Sequence, residues 1–477
     1  MTAPDHLKIT GPEDILGFIP HSLGYWPANS LVAMTMQGKR LGATLRVDLP
    51  DASRCRGSGL KAFARTVRDY LKADAEADGT LLALFAGPPA EDSAGDTAEV
   101  GFDPGDFDPG GADDGVADEG NPDAAALARL LQQLERTLGE AGLPVRDAWL
   151  VGERYWRNAH CLDPACCTPP GRPIEEIRNS RLNAELVFRG SSVGAAPRDS
   201  ALDVLPDQPE PGVLEAQQIW EREFSGRWRD RAQFGAVLDI WERVLAPAPP
   251  AAGGPPAPRP PSGAVSAAEP GPAALPVGLA GYLRATLCVA AWRDAVLVMA
   301  AAGRDAAVAG AEDFGMFDGG PGRPAPLPDL EGVPAAASET AAAAEPRARR
   351  QPVAAPALAT GSNVPVAGGT PGYGDVLLGL EPPMPDWMRL AQLDRVLIQL
   401  GNCGGGEARA AALTARGWIE WCRGRGSFAD ALFAAATTEQ PGYRLAELLA
   451  ELGRRGTLCG WARRKEAAWQ KFDPDAA

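Results

Sequence analysis

The hydrophobic pattern of this chain changes its period once, and that change limits the folds open to it. Before about residue 190, short apolar runs alternate with amphipathic stripes; after it, only stripes recur. Leu31–Met36 is an apolar run of strand length, Gly38-Lys39-Arg40 can turn it, and Leu41–Leu49 alternates apolar with polar. That is a hairpin signature. Leu60, Phe63, Ala64, Val67 and Leu71 then fall at helical spacing, and Leu81–Ala86 is continuously apolar, as in a strand covered on both faces. A second helix opens near Asp123, carries Leu127, Leu130, Leu131, Leu134 and Leu138 on one stripe, and ends at Gly142 and Pro144. Val145–Val151 reads as a strand and Ile174–Phe188 as a closing helix. A hairpin followed by strand–helix–strand–helix–strand predicts an α/β domain over 1–190 with a mixed, largely parallel sheet.

The second half shows only helical stripes: Trp220, Phe224 and Trp228; Phe234, Leu238, Trp241 and Leu245; then Leu279, Tyr282, Leu283, Thr286, Leu287 and Ala290. This predicts an all-α C-terminal region. Its pieces are helical segments at 211–245 and 278–312 and a helical region at 372–477. They are separated by Pro/Ala/Gly linkers at 246–277 and 313–371. The α/β domain carries its own insert, an acidic Gly/Asp-rich stretch at 89–123. Such compositions suit linkers and disordered insertions better than a packed core.

Charge excludes some functions. The 477-residue chain has a formal net charge of −16, and 12 acids with no Lys or Arg lie between Pro89 and Ala124, so −16 less −12 leaves −4 for the remainder. A basic face for nucleic acid is missing. The start, Met1 to Gly17, does not read as a signal peptide, and the best bilayer candidate, Leu287–Ala302, is broken by Arg293 and Asp294. The expected location is the cytoplasm, with the eight cysteines mostly reduced.

Candidate chemistry is sparse. His21, Tyr25 and Ser30 flank a turn-rich loop, and Arg46 and Asp48 share a strand face. Together they could line a site at the sheet edge, with a base beside a hydroxyl nucleophile; the plainer alternative is turn chemistry and a surface ion pair. His160, Cys161, Cys166 and Cys167 form the densest cluster of soft ligands and fit a structural zinc, or else a turn-rich loop with a buried thiol. Gly57-Ser58-Gly59-Leu60-Lys61-Ala62 matches a loose dinucleotide pattern, yet no acid ends the next strand. Cys403-Gly404-Gly405-Gly406 precedes a helix but is followed by Glu407, which would repel a phosphate. No organic cofactor site is expected. Finally, Gly417, Ala429, Phe433, Ala436 and Pro441 are spaced like the small, aromatic and proline positions of a tetratricopeptide-like hairpin, with Gly424-Arg425-Gly426 as its turn and Ser427 with Asp430 as its cap. Arg416 and Glu420 stand there in apolar positions.

Several short motifs occur in order: Leu16-Gly17-Phe18-Ile19-Pro20, Leu23-Gly24-Tyr25-Trp26-Pro27, Leu45-Arg46-Val47-Asp48-Leu49-Pro50, Cys161-Leu162-Asp163-Pro164, Gly424-Arg425-Gly426-Ser427-Phe428-Ala429 and Pro441-Gly442-Tyr443-Arg444. In these the chain resembles the actinobacterial domain-of-unknown-function family 4192. The resemblance implies no reaction and no ligand. With few His and no phosphate loop, the residues favour a non-catalytic protein that binds a protein partner through its helical region. The alternative is an enzyme working at the N-terminal sheet edge. Brief limited proteolysis of the native chain is expected to cut first within 91–122, 246–276 and 319–372; protection of all three would refute the division.

Overall fold

The computed structural model describes residues 9–50, 57–86, 122–161, 171–197, 210–246, 274–318, 326–329 and 371–469. Most of the three low-complexity stretches, together with Cys166 and Cys167, lies outside them. The chain forms two compact units, one containing the described residues up to Ala196 and the other those that follow.

The first unit holds a six-stranded sheet: β1 (Ser30–Gln37), β2 (Arg40–Asp48), β3 (Gly79–Phe85), β4 (Val145–Val151), β5 (Tyr155–Asn158) and β6 (Arg172–Pro173), in the order β2-β1-β3-β4-β5-β6. Only β3 and β4 pair in parallel; β1 is antiparallel to both its neighbours, and β5 and β6 add two more antiparallel pairs. The expectation of a largely parallel sheet is therefore wrong. The strand–helix–strand reading was sound in direction, because β2, β3 and β4 all run the same way. The hairpin, however, places β1 between β2 and β3. Val32 of β1 faces Arg46 on one side and Ala83 on the other.

Helices cover both faces. Leu31, Ala33, Leu82 and Leu84 pack beneath α2 (Gly57–Leu71) and α3 (Pro122–Glu140), against Leu60, Ala64, Val67, Leu130 and Leu134. The alternate residues Val32, Met34, Ala83 and Phe85, with Trp149, meet Leu16 and Ile19 of α1 (Pro12–Leu23) and Ile177 of α4 (Glu175–Arg178). The period-two alternation of β1 and β3 thus feeds two cores. The expected closing helix is split: α5 (Arg181–Phe188) begins afresh after Ser180, whose hydroxyl accepts from the Asn183 N–H. Helix α1 starts on a proline and stops at Gly24, in the left-handed region at φ 90°. Asp14 ties it to α5 by accepting the Leu182 N–H at 3.1 Å.

The second unit is helical throughout its described residues. It comprises α6 (Pro211–Phe224), α7 (Arg231–Val244), α8 (Val277–Leu287), α9 (Ala290–Ala302), α10 (Arg304–Asp313), α11 (Tyr373–Leu377), α12 (Trp387–Asn402), α13 (Glu407–Cys422), α14 (Gly426–Glu439), α15 (Arg444–Arg454) and α16 (Gly460–Arg463). No single helix among the described residues is long and apolar enough to cross a membrane; α8 and α9 pass only as a pair bent by 104°.

Helices α13 and α14 form the hairpin read from the sequence spacing. A Cβ on Gly417 would lie 2.5 Å from the Phe433 ring and 3.2 Å from the Ala429 carbonyl oxygen, so the glycine is what lets the helices approach. The cap differs from expectation: α14 begins at Gly426, which puts Arg425, rather than Ser427, at the N-cap. Arg416 and Glu420, misplaced for an apolar seam, join a half-buried ion network. Asp394 of α12 receives Arg416 and Arg423, each at 3.1 Å, and Glu420 pairs with Arg423 at 2.7 Å and Arg425 at 3.0 Å. Gly417→Leu is expected to force Phe433 aside and cost about 1–3 kcal/mol, the usual range for overpacking. Urea unfolding measures this, and unchanged stability would show that the close approach does not matter.

Candidate functional site

Near the end of α1, His21 is 1% exposed and bonded at both ring nitrogens. Its Nδ1 lies 2.9 Å from Ser191 Oγ and its Nε2 lies 2.6 Å from Asn183 Oδ1. Asn183 donates its Nδ2 to the Arg178 carbonyl at 2.6 Å, which turns Oδ1 toward the ring and assigns a proton to Nε2. In the neutral ring Nδ1 then accepts from the Ser191 hydroxyl. Hydroxyl, imidazole and amide stand in the order that activates a serine. Burial opposes that use, because Ser191 is only 4% exposed. Tyr25 is also buried, and its backbone bridges to Gly194, so the segment after α5 is laced onto the end of α1. Ser191 was absent from the sequence candidates. Only the small-residue run Gly190-Ser191-Ser192-Val193-Gly194 marked it.

Arg46 and Asp48 have different partners from His21. Arg46 donates Nε to Ser30 Oγ at 2.8 Å and pairs through Nη2 with Asp48 at 2.6 Å. Ser30 in turn donates to the Ala28 carbonyl at 2.5 Å, so its proton is held by the backbone. This arrangement pins the mouth of the β1–β2 hairpin, where Ser30 and Asp48 are register partners. It does not activate a nucleophile.

At the proposed metal loop, His160 Nε2 pairs with Glu135 of α3 at 2.8 Å and Cys161 is half-buried; Cys166 and Cys167 lie outside the described residues. Among the described residues no group of three or more His, Cys, Asp or Glu is placed to hold a metal. The dinucleotide-like glycines Gly57 and Gly59 lie within the first turn of α2. In the triple-glycine loop, the Gly406 N–H is taken by Glu439 Oε1 at 2.6 Å, so the chain's own carboxylate fills the place of an anion.

The helical unit offers a surface feature instead. Between α11 and the first turn of α12 the chain exposes Leu378 (41%), Leu380 (47%), Met384 (59%) and, within that turn, Met388 (79%). The backbone beneath them is held at many points. Arg464 donates to the carbonyls of Leu380, Gly379 and Pro382 at 2.9, 3.2 and 3.4 Å. Trp461 Nε1 reaches Pro382 O at 2.8 Å, the Gly460 N–H meets Leu378 O at 3.0 Å, and Asp386 N–H meets Ala301 O at 3.0 Å. Asp386 also caps α12 through the Arg389 N–H.

A family model described as a domain of unknown function, DUF4192, matches residues 12–312 and 389–457. The chain belongs to this family. No curated protein and no solved structure matches it. The His21 and Arg46 clusters of this DUF4192 chain lie inside the matched stretches. The apolar segment lies outside them, except that Met388 borders the second, and so do its anchors Gly460, Trp461 and Arg464. In this DUF4192 protein, His21→Leu takes a partner from both Asn183 and Ser191. It is expected to destabilise the first unit by about 1–3 kcal/mol, the cost of leaving buried polar groups unmet. Thermal unfolding tests this, and a melting temperature equal to wild type would remove the lock.

Proposed function

We propose that this DUF4192 protein is a non-catalytic binding protein that docks a protein partner through the 378–388 segment of its helical unit. One observation carries the reading: four large apolar side chains stand exposed within eleven residues on a backbone fixed by hydrogen bonds. Clustered apolar exposure of this kind marks interaction surfaces, and a rigid segment loses little further freedom on docking. Methionine side chains at 384 and 388 adapt their shape to a groove. Asp375 and Asp386 stand exposed and Glu381 partly so along the same segment. The partner this fits is a protein with an apolar groove rimmed by Lys and Arg, whose association weakens as salt rises.

A photo-crosslinking residue at Met388 in the living cell is expected to trap one discrete partner, and Leu380→Asp with Met384→Asp is expected to abolish the adduct. The same adduct from a crosslinker at exposed Val187, in the other unit, would show the trapping to be non-specific and sink the reading. The His21–Ser191–Asn183 alignment favours one rival, an acyl-transfer enzyme. Labelling of Ser191 by a fluorophosphonate, lost in His21→Ala, would establish that rival instead.

A further inference from the structure

The sheet of the first unit ends in a long strand that has one partner. Among the described residues β2 pairs only with β1, while the strand at the opposite edge, β6, is two residues long. The direction of hydrogen bonding along β2 follows from its end, where the Leu49 N–H donates to the Asn29 carbonyl at 2.8 Å. Antiparallel ladders alternate, so Leu49, Val47 and Leu45 bond inward to β1. Thr44, Arg46 and Asp48 therefore turn their N–H and C=O groups to the open side. The first part of the strand is blunted. Its register with β1 shifts between Met34 and Met36, which leaves an extra residue in β2, and the Ala43 N–H is taken by the Thr35 hydroxyl at 2.7 Å. A bulge of this kind twists an edge out of ladder geometry. At the other end Pro50 has no N–H to offer. The regular open stretch is thus Thr44–Asp48.

With outward groups at its middle and both ends, this stretch is complementary to itself. Laid antiparallel on its own copy, it overlaps fully in one register, with the twofold axis at Arg46. Thr44 then lies opposite Asp48 of the second copy, and Leu45 lies opposite its Val47. On one face the Thr44 hydroxyl, which has no partner among the described residues, meets a carboxylate whose side chain is 76% exposed. On the other face Leu45 and Val47, half-buried at the rim of the core under α2 and α3, form an apolar row with their counterparts. Arg46 leaves the axis clear, because Ser30 Oγ on the β1 side holds its Nε at 2.8 Å.

We propose that β2 is a dimerisation edge: two copies of this chain pair antiparallel through Thr44–Asp48 and join their sheets into one. Main-chain hydrogen bonds across the edge supply the attraction. The Leu45–Val47 and Thr44–Asp48 pairs fix the register, since a slip of one residue would turn each side chain to the wrong face. The interface is isologous, as a twofold requires. So short a ladder buries less than the ~1,000 Å² of a permanent assembly, so the dimer is reversible and depends on concentration. A dimer also carries two 378–388 segments in one particle, which strengthens binding to a partner with repeated grooves. That consequence rests on the partner reading above; the pairing does not.

Sedimentation velocity of the purified full chain, from low micromolar to near-millimolar concentration, is expected to show reversible conversion of monomer to dimer. Thr44→Pro removes an outward N–H and spares the bonds to β1, so it is expected to weaken the dimer about tenfold or more. Asp48→Lys removes the carboxylate opposite Thr44 and is expected to weaken it as well. Thermal melting of each variant at low micromolar concentration checks that the monomer is folded. Thr44→Cys combined with Asp48→Cys, mildly oxidised at high concentration and cut by trypsin after Arg46, is expected to give disulfides joining position 44 of one copy to position 48 of the other. Wild-type chain that stays monomeric at every concentration overturns the proposal, whatever the variants do. So does a dimer that two folded variants leave as strong as wild type, or a dimer whose disulfides join 44 to 44.

Discussion

Helix α13 has neighbours along most of its length, and its small residues make that possible. Ala408, Ala410, Ala411, Ala412, Ala415 and Gly417 are all buried, and they keep its surface low enough for α12 and α14 to pack close. Phe433 fills the notch at Gly417. Its large residues then reach past that inner shell: Trp418 donates Nε1 to the Leu377 carbonyl at 2.8 Å, and Trp421 donates to Thr457 at 3.0 Å. Trp418 and Trp387 each meet Trp461 edge-on at 6.3 Å. The loops that carry the exposed segment are therefore anchored to a helix buried along most of its length. The rigidity of a surface feature is inherited from core packing.

Polar burial has the same structural meaning elsewhere. Arg284 is wholly buried and, among the described residues, forms no ion pair with a carboxylate; it donates to Gln217 at 2.6 Å, to the Gly405 carbonyl at 2.9 Å and to the Leu400 carbonyl near the end of α12. It serves as a cross-brace joining α6, α8, α12 and the triple-glycine loop. His21 does comparable work in the first unit, where it joins α1 to α5 and the segment after it. Buried donors and acceptors left unmet cost more than the bonds gain, so such braces specify the arrangement of elements.

The strands β1 to β4 and helices α2 and α3 were legible because each shows an uninterrupted period of its own. Strand order was not, since residues in the hairpin do not state which arm will lie inside; β1 does because it is apolar on both faces, whereas Arg40 and Asp48 of β2 are exposed. Helix α1 was not read from the sequence, because Gly17 and Pro20 are poor helix formers. Pro20 is tolerated in the last turn, and Gly17 gives room for Ser180, whose Oγ would lie 2.7 Å from an added Cβ. Arg416 looked like a fault in a hairpin because its partner Asp394 lies on the preceding helix, and Glu420 because Arg423 and Arg425 meet it only once the chain has folded into the network around Asp394. Ser191 escaped notice for a similar reason: it is 170 residues from the His21 it meets. Long-range polar pairing leaves no periodic trace in a sequence.

Why the apolar side chains at 378–388 face outward follows from the backbone. Pro382, Pro383 and Pro385 carry no N–H, so the segment cannot satisfy itself by helix or ladder. Its carbonyls need external donors, and Arg464 and Trp461 supply them from the inner side, at Gly379, Leu380 and Pro382. Gly379 presses against Cys459 and leaves no space for a side chain there. With the inner side occupied by carbonyl–donor bonds, Leu380 and Met384 have no route into the core. Their exposure is thus a consequence of how a proline-rich backbone is held. A surface built this way presents apolar groups in a fixed arrangement instead of letting them collapse onto the nearest hydrophobic neighbour, which is the property a docking segment requires.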